Sequence, residues 1–502
     1  MKAPIGGLAA TVVVVAAFFL LAPYYSTQLW WFFRLNWFWF VPVVLVILIA
    51  LAAIWCMDEG NGLGGPLALV AVAGLVGCVG WFFAYNYIQA SYYAQTVEVT
   101  DDPLPKQAVR PPFTVSQAQV RSNLGDVPGD TQTTMYVPED GTFSTLVEQR
   151  GVFSGYQTLL EQKSTTSGRL DPSTCDFTPE ADRRLDGVFG HSLERAINTE
   201  QRWVNWSYDD AYGWCDPTGT PYVVVPLVEQ DGFWVVTEKP AGVALYNGKT
   251  GELTISGDGR TADGRVIPGP TYPLSLAAEQ RASTEAMGSY FDYVFGRVGW
   301  ELPDEADSIN SAASSEFVLG GPDGPDFVTP LSGRGSATAI SAISSVDAHN
   351  VGALNKVVIH RLGTDAHPVW QSPTAITDNL RATFGDVFVT NPGADLSELA
   401  PTGSDTFVAT LGRPQNLVYR ITGRGDLSEP MCLIGLDGAQ IRCGGTGTSG
   451  VSTSPIAGGQ GAQGVSPAPA SSDLTKLTPQ QLADLSRRAN EELLRKLQTA
   501  GG

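Results

Sequence analysis

Three long apolar runs near the start of the chain constrain its fold more than any other feature. Residues 5–22, 37–57 and 67–88 each lack Asp, Glu, Lys and Arg. A helix needs about 20 apolar residues to cross about 30 Å of hydrocarbon, so each run is long enough to span a bilayer. The sequence therefore predicts three N-terminal transmembrane helices, followed by an α+β soluble body of antiparallel sheets with packed helices.

The first run has a second interpretation, as a secretory signal peptide with Lys2 in its basic region. Two further runs follow it, however, and Ala22-Pro23-Tyr24 matches a small-x-small cleavage site poorly. We therefore expect a retained anchor. The connection at 23–36 is crowded with Trp, Tyr and Phe, whose rings settle at the headgroup level, and it is predicted to form an interfacial belt.

The net charge of the chain lies entirely in the part that follows these runs. Up to residue 95, Lys2 and Arg34 balance Asp58 and Glu59, so the whole formal charge of −20 lies beyond it. A body this acidic would repel nucleic-acid phosphates, and it is discouraged from lying flat on anionic lipid. We expect the membrane as a partner and no nucleic acid.

The cysteines predict disulfides in the body. Asp437-Gly438 is a favoured two-residue hairpin turn, and folding the chain there brings Cys432 opposite Cys443. Opposed strand residues have Cα atoms about 4.5–5.5 Å apart, within the range of a disulfide. Cys175 and Cys215 then pair by elimination.

Disulfides also decide the expected topology. Lys2 favours a cytoplasmic N-terminus, whereas Arg34 and Lys106 favour the reverse, so loop charges alone are nearly balanced. Because disulfides form in oxidising compartments, we expect a multi-pass protein of the cytoplasmic membrane with its C-terminal body outside the cytoplasm.

Composition divides the rest of the chain. Residues 96–132 are rich in Asp, Pro, Gln and Ser and predict a stalk. Two α+β domains are predicted at 133–315 and 316–443, separated at a Gly- and Pro-rich loop. Residues 444–473 are mostly Gly, Ser, Thr, Ala, Pro and Gln, which predicts a flexible linker.

An amphipathic docking helix is predicted at 474–502. Thr478, Pro479 and Gln481 form a helix start with a capping box. An isolated helix of this length is marginal in water, so it should dock onto its own body, onto a copy of itself, or onto another envelope protein. Its apolar stripe consists of Leu482, Leu485, Ala489, Leu493 and Leu497.

One segment of the first domain resembles a known family. A helical pattern at 179–199 precedes several strand patterns, and the last of these is Gly242-Val-Ala-Leu-Tyr-Asn-Gly-Lys-Thr-Gly-Glu-Leu-Thr-Ile255. It is similar to the final hairpin of PepSY-type domains, in which a strand ends in an Asp/Asn-x-x-Thr-Gly-Glu turn. The resemblance covers residues 180–256 and implies a small extracytoplasmic α+β unit associated with inhibition or binding.

A second helical pattern, at 271–300, ends in an aromatic stripe that includes Tyr290, Phe291 and Phe295. Polar residues interrupt it midway, so two shorter helices are an alternative. Aromatic stripes at this spacing are usually core, which is our expectation; an exposed face would instead mark an interface.

The sequence shows no recognisable active site. The four histidines, His191, His349, His360 and His367, lack metal-ligand spacing, and no nucleophile elbow, P-loop, zinc-protease or EF-hand motif occurs. We predict no catalytic, cofactor-binding or metal residues. The expected role is a non-catalytic binding or scaffold protein of a bacterial-type cell envelope.

Two alternatives remain open. An envelope hydrolase could use carboxylates of the acidic body, although no diagnostic pair is visible in the sequence. A conduit through the membrane is disfavoured, because the three runs lack the ionisable groups that ion or proton transport usually needs.

Overall fold

The fold is that of a computed structural model. The residues that it describes are 22–58, 62–165, 170–303, 317–335, 337–413 and 416–444, together with Ala17. The predicted span at 5–22 therefore lies almost entirely outside the described residues, as does the predicted linker at 444–473. The predicted docking helix at 474–502 lies wholly outside them.

Two long apolar helices open the described chain. Helix α1 is Pro23–Asp58 and helix α2 is Gly64–Ala94. By length and composition each is able to cross a membrane, with mean hydropathies of 2.9 and 2.3 over 18 residues. They contain the second and third predicted spans, so the described part of the chain has two candidate spans, and three are not confirmed.

The aromatic segment at 23–36 is the first part of α1 and continues as helix into the second predicted span. Its prediction as a connection that follows a span at 5–22 stays a prediction, because that span lies almost entirely outside the described residues. Pro23 occupies the first helical position, where its fixed φ fits and its missing N–H costs no hydrogen bond. No Gly or Pro follows until Pro42. Nothing local therefore ends the helix before it reaches the second apolar run.

The two helices pack side by side. The indole Nε1 of Trp81 donates to the carbonyl of Phe38 at 2.9 Å. A Cβ on Gly74 would lie 2.8 Å from Cγ2 of Val46, so the absence of a side chain there permits the close approach.

The body is rich in β-structure. Its described strands are β1 (Val97–Thr100), β2 (Asp130–Val137), β3 (Thr142–Glu148), β4 (Tyr156–Ser164), β5 (Leu170–Asp176), β6 (Val204–Asn205), β7 (Tyr212–Cys215), β8 (Pro221–Asp231), β9 (Thr237–Asn247), β10 (Leu253–Ser256), β11 (Trp300–Glu301), β12 (Phe317–Gly320), β13 (Pro325–Gly333), β14 (Ile340–Asp347), β15 (Val357–Arg361), β16 (Asp395–Pro401), β17 (Thr406–Arg413), β18 (Asn416–Arg424), β19 (Met431–Ile434) and β20 (Gln440–Gly444). Its described helices are α3 (Phe113–Leu124), α4 (Leu193–Glu200), α5 (Leu274–Ala282), α6 (Tyr290–Val294), α7 (Pro373–Thr383) and α8 (Gly385–Thr390).

These strands form four sheets in the described residues. Sheet 1 is β2 to β5 in order, and sheet 4 is β16 to β20 in order. Sheet 2 contains β6 to β10, with β8 central, and sheet 3 contains β1 and β11 to β15. Every pairing is antiparallel except that of β1 with β15. The expectation of antiparallel sheets in the body is confirmed.

The segment at 96–132 is built into the body, so the predicted stalk is wrong. Its strand β1 pairs with β15, and helix α3 lies against sheet 1. Arg110 and Glu398 form a buried ion pair, with Nη1 and Oε2 3.1 Å apart. The polar composition misled the prediction because some of these groups are paired inside the protein, as Arg110 is with Glu398.

The predicted division at 315/316 runs through shared cores. One buried cluster joins residues of sheets 2 and 3, such as Val224 and Phe327, and another joins sheets 3 and 4, such as Val328 and Phe407. The loop that suggested a boundary is the turn between β12 and β13, where Gly320 pairs with Pro325.

Both predicted long helices are shorter than expected. Only α4 forms within 179–199; Asp186 and Phe189 have φ of 62° and 55°, which an α-helix does not tolerate, and Ser192 then caps α4. Within 271–300, the alternative of two shorter helices is confirmed: α5 and α6 are separated by a 3₁₀ turn at Ser283–Ala286.

Candidate membrane-facing site

The predicted cysteine pairs are brought together. Cys432 and Cys443 are directly opposed in the β19–β20 hairpin, with sulfur atoms 2.00 Å apart. Cys175 on β5 and Cys215 on β7 are also paired and thereby connect sheets 1 and 2. The remaining cysteines, Cys56 and Cys78, are free and lie in α1 and α2.

The turn of the β19–β20 hairpin differs from the prediction. Gly438 donates to the carbonyl of Gly435, and Ala439 accepts from Gly435, so the loop is one residue longer than a two-residue turn. Gly438 has φ of 83° and supplies the left-handed residue of a bulged turn. Ile434 therefore pairs with Gln440 and not with Ile441, the partner that a two-residue turn at Asp437-Gly438 predicts.

The histidines have ordinary partners. His360 is buried on β15, where its ring nitrogens contact Ser345 Oγ and the carbonyl of Asp102, each at 2.9 Å. His367 contacts Asp405 at 2.9 Å. Among the described residues, no three His, Cys, Asp or Glu side chains are arranged to hold a metal ion.

The first third of α1 lies against the body. Trp31 is 3% exposed, and its Nε1 donates to the carbonyl of Trp203 at 3.1 Å. Arg195 of α4 donates to the hydroxyl of Tyr25 at 2.5 Å. The body therefore holds α1 through side chains of residues 24–37, well before the helix reaches its most apolar part.

The last third of α2 is held in the same way. Tyr85 is buried and its hydroxyl accepts from the backbone N–H of Val236 at 3.2 Å, while Gln89 donates to the carbonyl of Val236 at 2.7 Å. Tyr87 donates to the carbonyl of Gly288 at 2.9 Å. Both helices are thus fixed to the body at the same end of their hairpin.

The remainder of the hairpin is exposed and apolar. Residues 38–58 of α1 and 64–84 of α2 are 21 residues each, or about 31 Å at 1.5 Å per residue. This length matches the hydrocarbon core of a bilayer, about 30 Å. A bilayer crossed by this hairpin would have its boundary on the body side near Phe38 and Ala84.

An exposed aromatic loop lies beside this boundary. The sequence predicts a strand at 233–237, but Phe233 and Trp234 are in the loop between β8 and β9 and are 71% and 70% exposed. Both rings contact Trp37, at centroid distances of 5.6 and 5.3 Å.

Helix α6 presents a second exposed aromatic pair. Phe291 and Phe295 are 68% and 64% exposed, so the expectation of a core position is wrong. The neighbouring rings of Tyr290 and Tyr293 lie 5.4 Å from Tyr87 of α2. The aromatic stripe that predicted a core thus lies beside the helix hairpin, where apolar rings can meet lipid instead of protein.

Two cavities share Arg34 at the same level. One, of about 360 Å³, is lined by Trp30, Phe33, Arg34, Trp37 and Phe233. The other, of about 520 Å³, is lined by Trp30, Arg34, Trp203, Glu229 and Gln230. The Arg34 guanidinium lies 5.6 Å from the centre of the Trp30 ring and donates to the carbonyl of Gly232.

Two carboxylates interact electrostatically near the end of α2. The hydroxyl of Tyr93 accepts from the backbone N–H of Glu238 at 2.5 Å and is hydrogen-bonded to the Glu279 carboxylate. Burial, followed by the charge of Glu279, raises the pKa of Glu238 to about 7. Partial burial of its carboxylate also raises the pKa of Glu279, although the residue as a whole is exposed.

Sequence reasoning missed Arg34, the Phe233–Trp234 pair and the Glu238–Glu279 pair as site residues. The available signal was the dipeptide Phe233-Trp234 directly after a Gly turn, since bulky rings at a turn have no core to enter. The docking residues predicted at 482–497 lie outside the described residues.

Fold and site together define a class of protein: a sheet-rich body fixed directly to an apolar helix hairpin, with an aromatic rim where the two meet. No family model matches this chain, and neither does any curated protein or solved structure. The PepSY-type resemblance of residues 180–256 therefore stays a prediction.

Proposed function

We propose that this chain is a non-catalytic binding or scaffold protein of a bacterial-type cell-envelope assembly, anchored in the cytoplasmic membrane with its body outside the cytoplasm. The observation that carries the proposal is the direct attachment of the helix hairpin to the body through Trp31, Tyr85 and Gln89. Such an attachment holds the sheets at a fixed height and orientation on a membrane, as a platform for other proteins requires.

The paired body cysteines support the orientation, because disulfides persist in oxidising compartments. The described hairpin begins and ends at the body. A third span at 5–22 would therefore put the N-terminus on the side opposite the body, in the cytoplasm. We retain the three-span topology as part of the proposal.

The PepSY-type resemblance adds support for a binding role. Residues 180–256 contain a helix, α4, followed by the antiparallel strands β6 to β10, which is compatible with the small α+β unit that the resemblance implies. In this proposal the sheets bind envelope partners, and the predicted helix at 474–502 docks a further partner or a second copy.

Thiol labelling in intact cells tests the orientation. We expect a membrane-impermeant maleimide to leave Cys175, Cys215, Cys432 and Cys443 unlabelled until a reductant is added. A Cys432→Ser variant provides the control, because it frees Cys443 on the exposed strand β20 and should make the protein label without reduction. Labelling of all four only after lysis would place the body in the cytoplasm.

Co-purification after crosslinking tests the scaffold role. We expect the wild type to capture envelope proteins or a second copy, and the Leu485→Gln/Leu493→Gln variant to lose the partner held by the terminal helix. Glu491→Gln, on the opposite face of that predicted helix, is the control. Recovery of the wild-type chain alone, without partner or self-association, would contradict the proposal.

One observation favours the second candidate, an envelope hydrolase that uses carboxylates. The carboxylates of Glu238 and Glu279 interact electrostatically beside Tyr93, and a raised pKa is what a general acid needs. Hydrolysis of envelope polysaccharide by the wild type, lost in both Glu238→Gln and Glu279→Gln, would establish this alternative over the scaffold.

A further inference from the structure

We propose that the two cavities on either side of Arg34 bind one membrane phospholipid, with its phosphate at the Arg34 guanidinium and part of an acyl chain against Trp37 and Phe233. The inference rests on the proposed anchoring of the hairpin in a membrane. It goes further by naming a ligand class and the residues that hold it.

The charge of Arg34 lacks an acidic partner within the described residues. Its guanidinium donates to the carbonyl of Gly232, and no described carboxylate lies within ion-pair distance. Glu229, which lines the larger cavity, is engaged by Lys239 with Nζ and Oε1 3.2 Å apart. The guanidinium therefore keeps donors available for an anion, and phosphate oxygens suit its planar fork.

The backbone at Gly232 holds the Arg34 contact in place. Gly232 has φ of 81°, and a Cβ there would lie 2.1 Å from the carbonyl oxygen of Val235, so only glycine fits this turn. The turn both fixes the carbonyl that receives Arg34 and positions Phe233 and Trp234 beside Trp37.

The smaller cavity selects for an apolar chain. Apart from Arg34, its lining consists of Trp30, Phe33, Trp37 and Phe233. Its volume of about 360 Å³ falls within the usual range of ligand pockets. Free phosphate would use Arg34 but would leave this aromatic surface uncovered.

The height of Arg34 matches the headgroup level. It precedes Phe38, where the exposed 21-residue stretch begins, by four residues, or about 6 Å along α1. The headgroup layer on each side of a bilayer is of similar thickness. A lipid whose chains lie beside residues 38–58 would therefore present its phosphate at Arg34.

The test measures binding of fluorescent phosphatidylglycerol to the full chain in mild detergent. Arg34→Gln should lower the affinity for this lipid roughly tenfold or more, which corresponds to the loss of one charge-assisted hydrogen bond. Arg297→Gln is the matched control, since that guanidinium also lies over a ring, 5.2 Å from Phe295, but lines neither cavity. The control should bind like the wild type.

Three further measurements make the result decisive. Phe233→Ala keeps the arginine and should still weaken binding, whereas fluorescent diacylglycerol, which lacks phosphate, should bind poorly to the wild type. Equal binding by Arg34→Gln and Arg297→Gln, or by diacylglycerol and phosphatidylglycerol, overturns the proposal. Complete competition by inorganic phosphate also overturns it, in favour of a free-anion site.

Membrane fractionation separates this inference from the proposed function. Wild type and Arg34→Gln should both stay in carbonate-washed membranes. If the wild type is washed off, the proposed anchoring fails. If it remains but lipid binding is unchanged by Arg34→Gln and Phe233→Ala, only the lipid site fails.

Discussion

Two arginines, each lying over aromatic rings, show how differently one residue type is used in this molecule. Arg110 is 8% exposed and lies 5.5 to 5.7 Å from the ring centres of Tyr136, Phe143 and Phe317. It forms an ion pair with Glu398, whose Oε1 also accepts from the backbone N–H of Phe113 at 2.7 Å. Arg34 lies over one ring, has no described acidic partner, and opens into two cavities.

The difference separates an arginine that holds the fold together from a candidate binding residue. We call the buried pair of Arg110 and Glu398 the joint. Arg110 connects the segment at 96–132 with sheets 1, 3 and 4, and its charge is satisfied within the protein. Arg34 connects α1 to a single turn, and its charge remains available. Substitutions at the joint should therefore lower the free energy of unfolding, and substitution of Arg34 should weaken ligand binding.

The largest expected effect is a loss of stability when Arg110 of the joint is replaced. Arg110→Met should reduce the free energy of unfolding by about 3–5 kcal/mol, because it leaves Glu398 buried without its cation. Burial raises the pKa of Glu398. Protonation of Glu398 removes the unpaired buried charge in the variant, so the loss of unfolding free energy should be smaller at pH 5 than at pH 8. Thermal unfolding followed by tryptophan fluorescence in detergent measures both effects.

The double substitution Arg110→Met/Glu398→Leu is the control for that experiment. Removing both charges should recover much of the loss, since apolar replacements of a buried pair are often neutral. If the single and double variants are equally unstable, the ion pair is not what the joint depends on.

Next in size is the crosslink between sheets 1 and 2. Cys175→Ser/Cys215→Ser should cost about 3–4 kcal/mol by the loop-closure relation, given the sequence separation of 40 residues. Cys432→Ser/Cys443→Ser, with a separation of 11, should cost about 1 kcal/mol less. Unfolding by urea under non-reducing conditions compares them, and a larger loss from the shorter loop would contradict the expectation.

These cases also show what the sequence could predict. The apolar runs of α1 and α2 and the pairing of Cys432 with Cys443 depend on residues close together in the chain, where spacing alone carries the information. The strand β1 could not be found this way, because it is four residues long and its partner β15 is distant in sequence. Likewise, Arg34 meets Gly232 across 198 residues.

The prediction of a core position for the aromatic stripe of α6 was wrong for a different reason. Helical periodicity shows that Phe291 and Phe295 share a face, but it does not show what covers that face. Next to a hairpin that is apolar enough to cross a membrane, the cover can be lipid, and an exposed stripe then has the same pattern as a core stripe. The same ambiguity hid Phe233 and Trp234, which were predicted to be in a strand.

A smaller effect on stability is expected at Glu238, whose carboxylate forms no ion pair among the described residues. Its pKa in the folded protein is about 7, above the unfolded value of about 4.3. The folded state therefore binds the extra proton, and its contribution to stability is complete below the unfolded pKa and is lost as pH rises through about 7. Glu238→Gln should stabilise the protein at pH 8 by about 1 kcal/mol, a value discounted for the exposed edge of the side chain.

Melting temperatures between pH 4 and pH 8 measure this difference. Glu238→Gln should melt on the order of 2 °C above the wild type at pH 8 and converge with it near pH 4. Gln280→Glu is not a usable control, because Gln280 is fully buried and bonded to Tyr272. Glu252→Gln is suitable, since it lies on an exposed turn and should leave the pH profile unchanged.

The smallest expected effect is on the stability of Arg34→Gln. An exposed contact to one carbonyl contributes little, so the free energy of unfolding should change by less than about 0.5 kcal/mol in detergent without added phospholipid. Adding phosphatidylglycerol should then raise the melting temperature of the wild type but not of the variant, because a ligand stabilises only the state that binds it. A large loss of stability in the lipid-free variant would make Arg34 a second joint like Arg110, and the contrast between the two arginines would no longer hold.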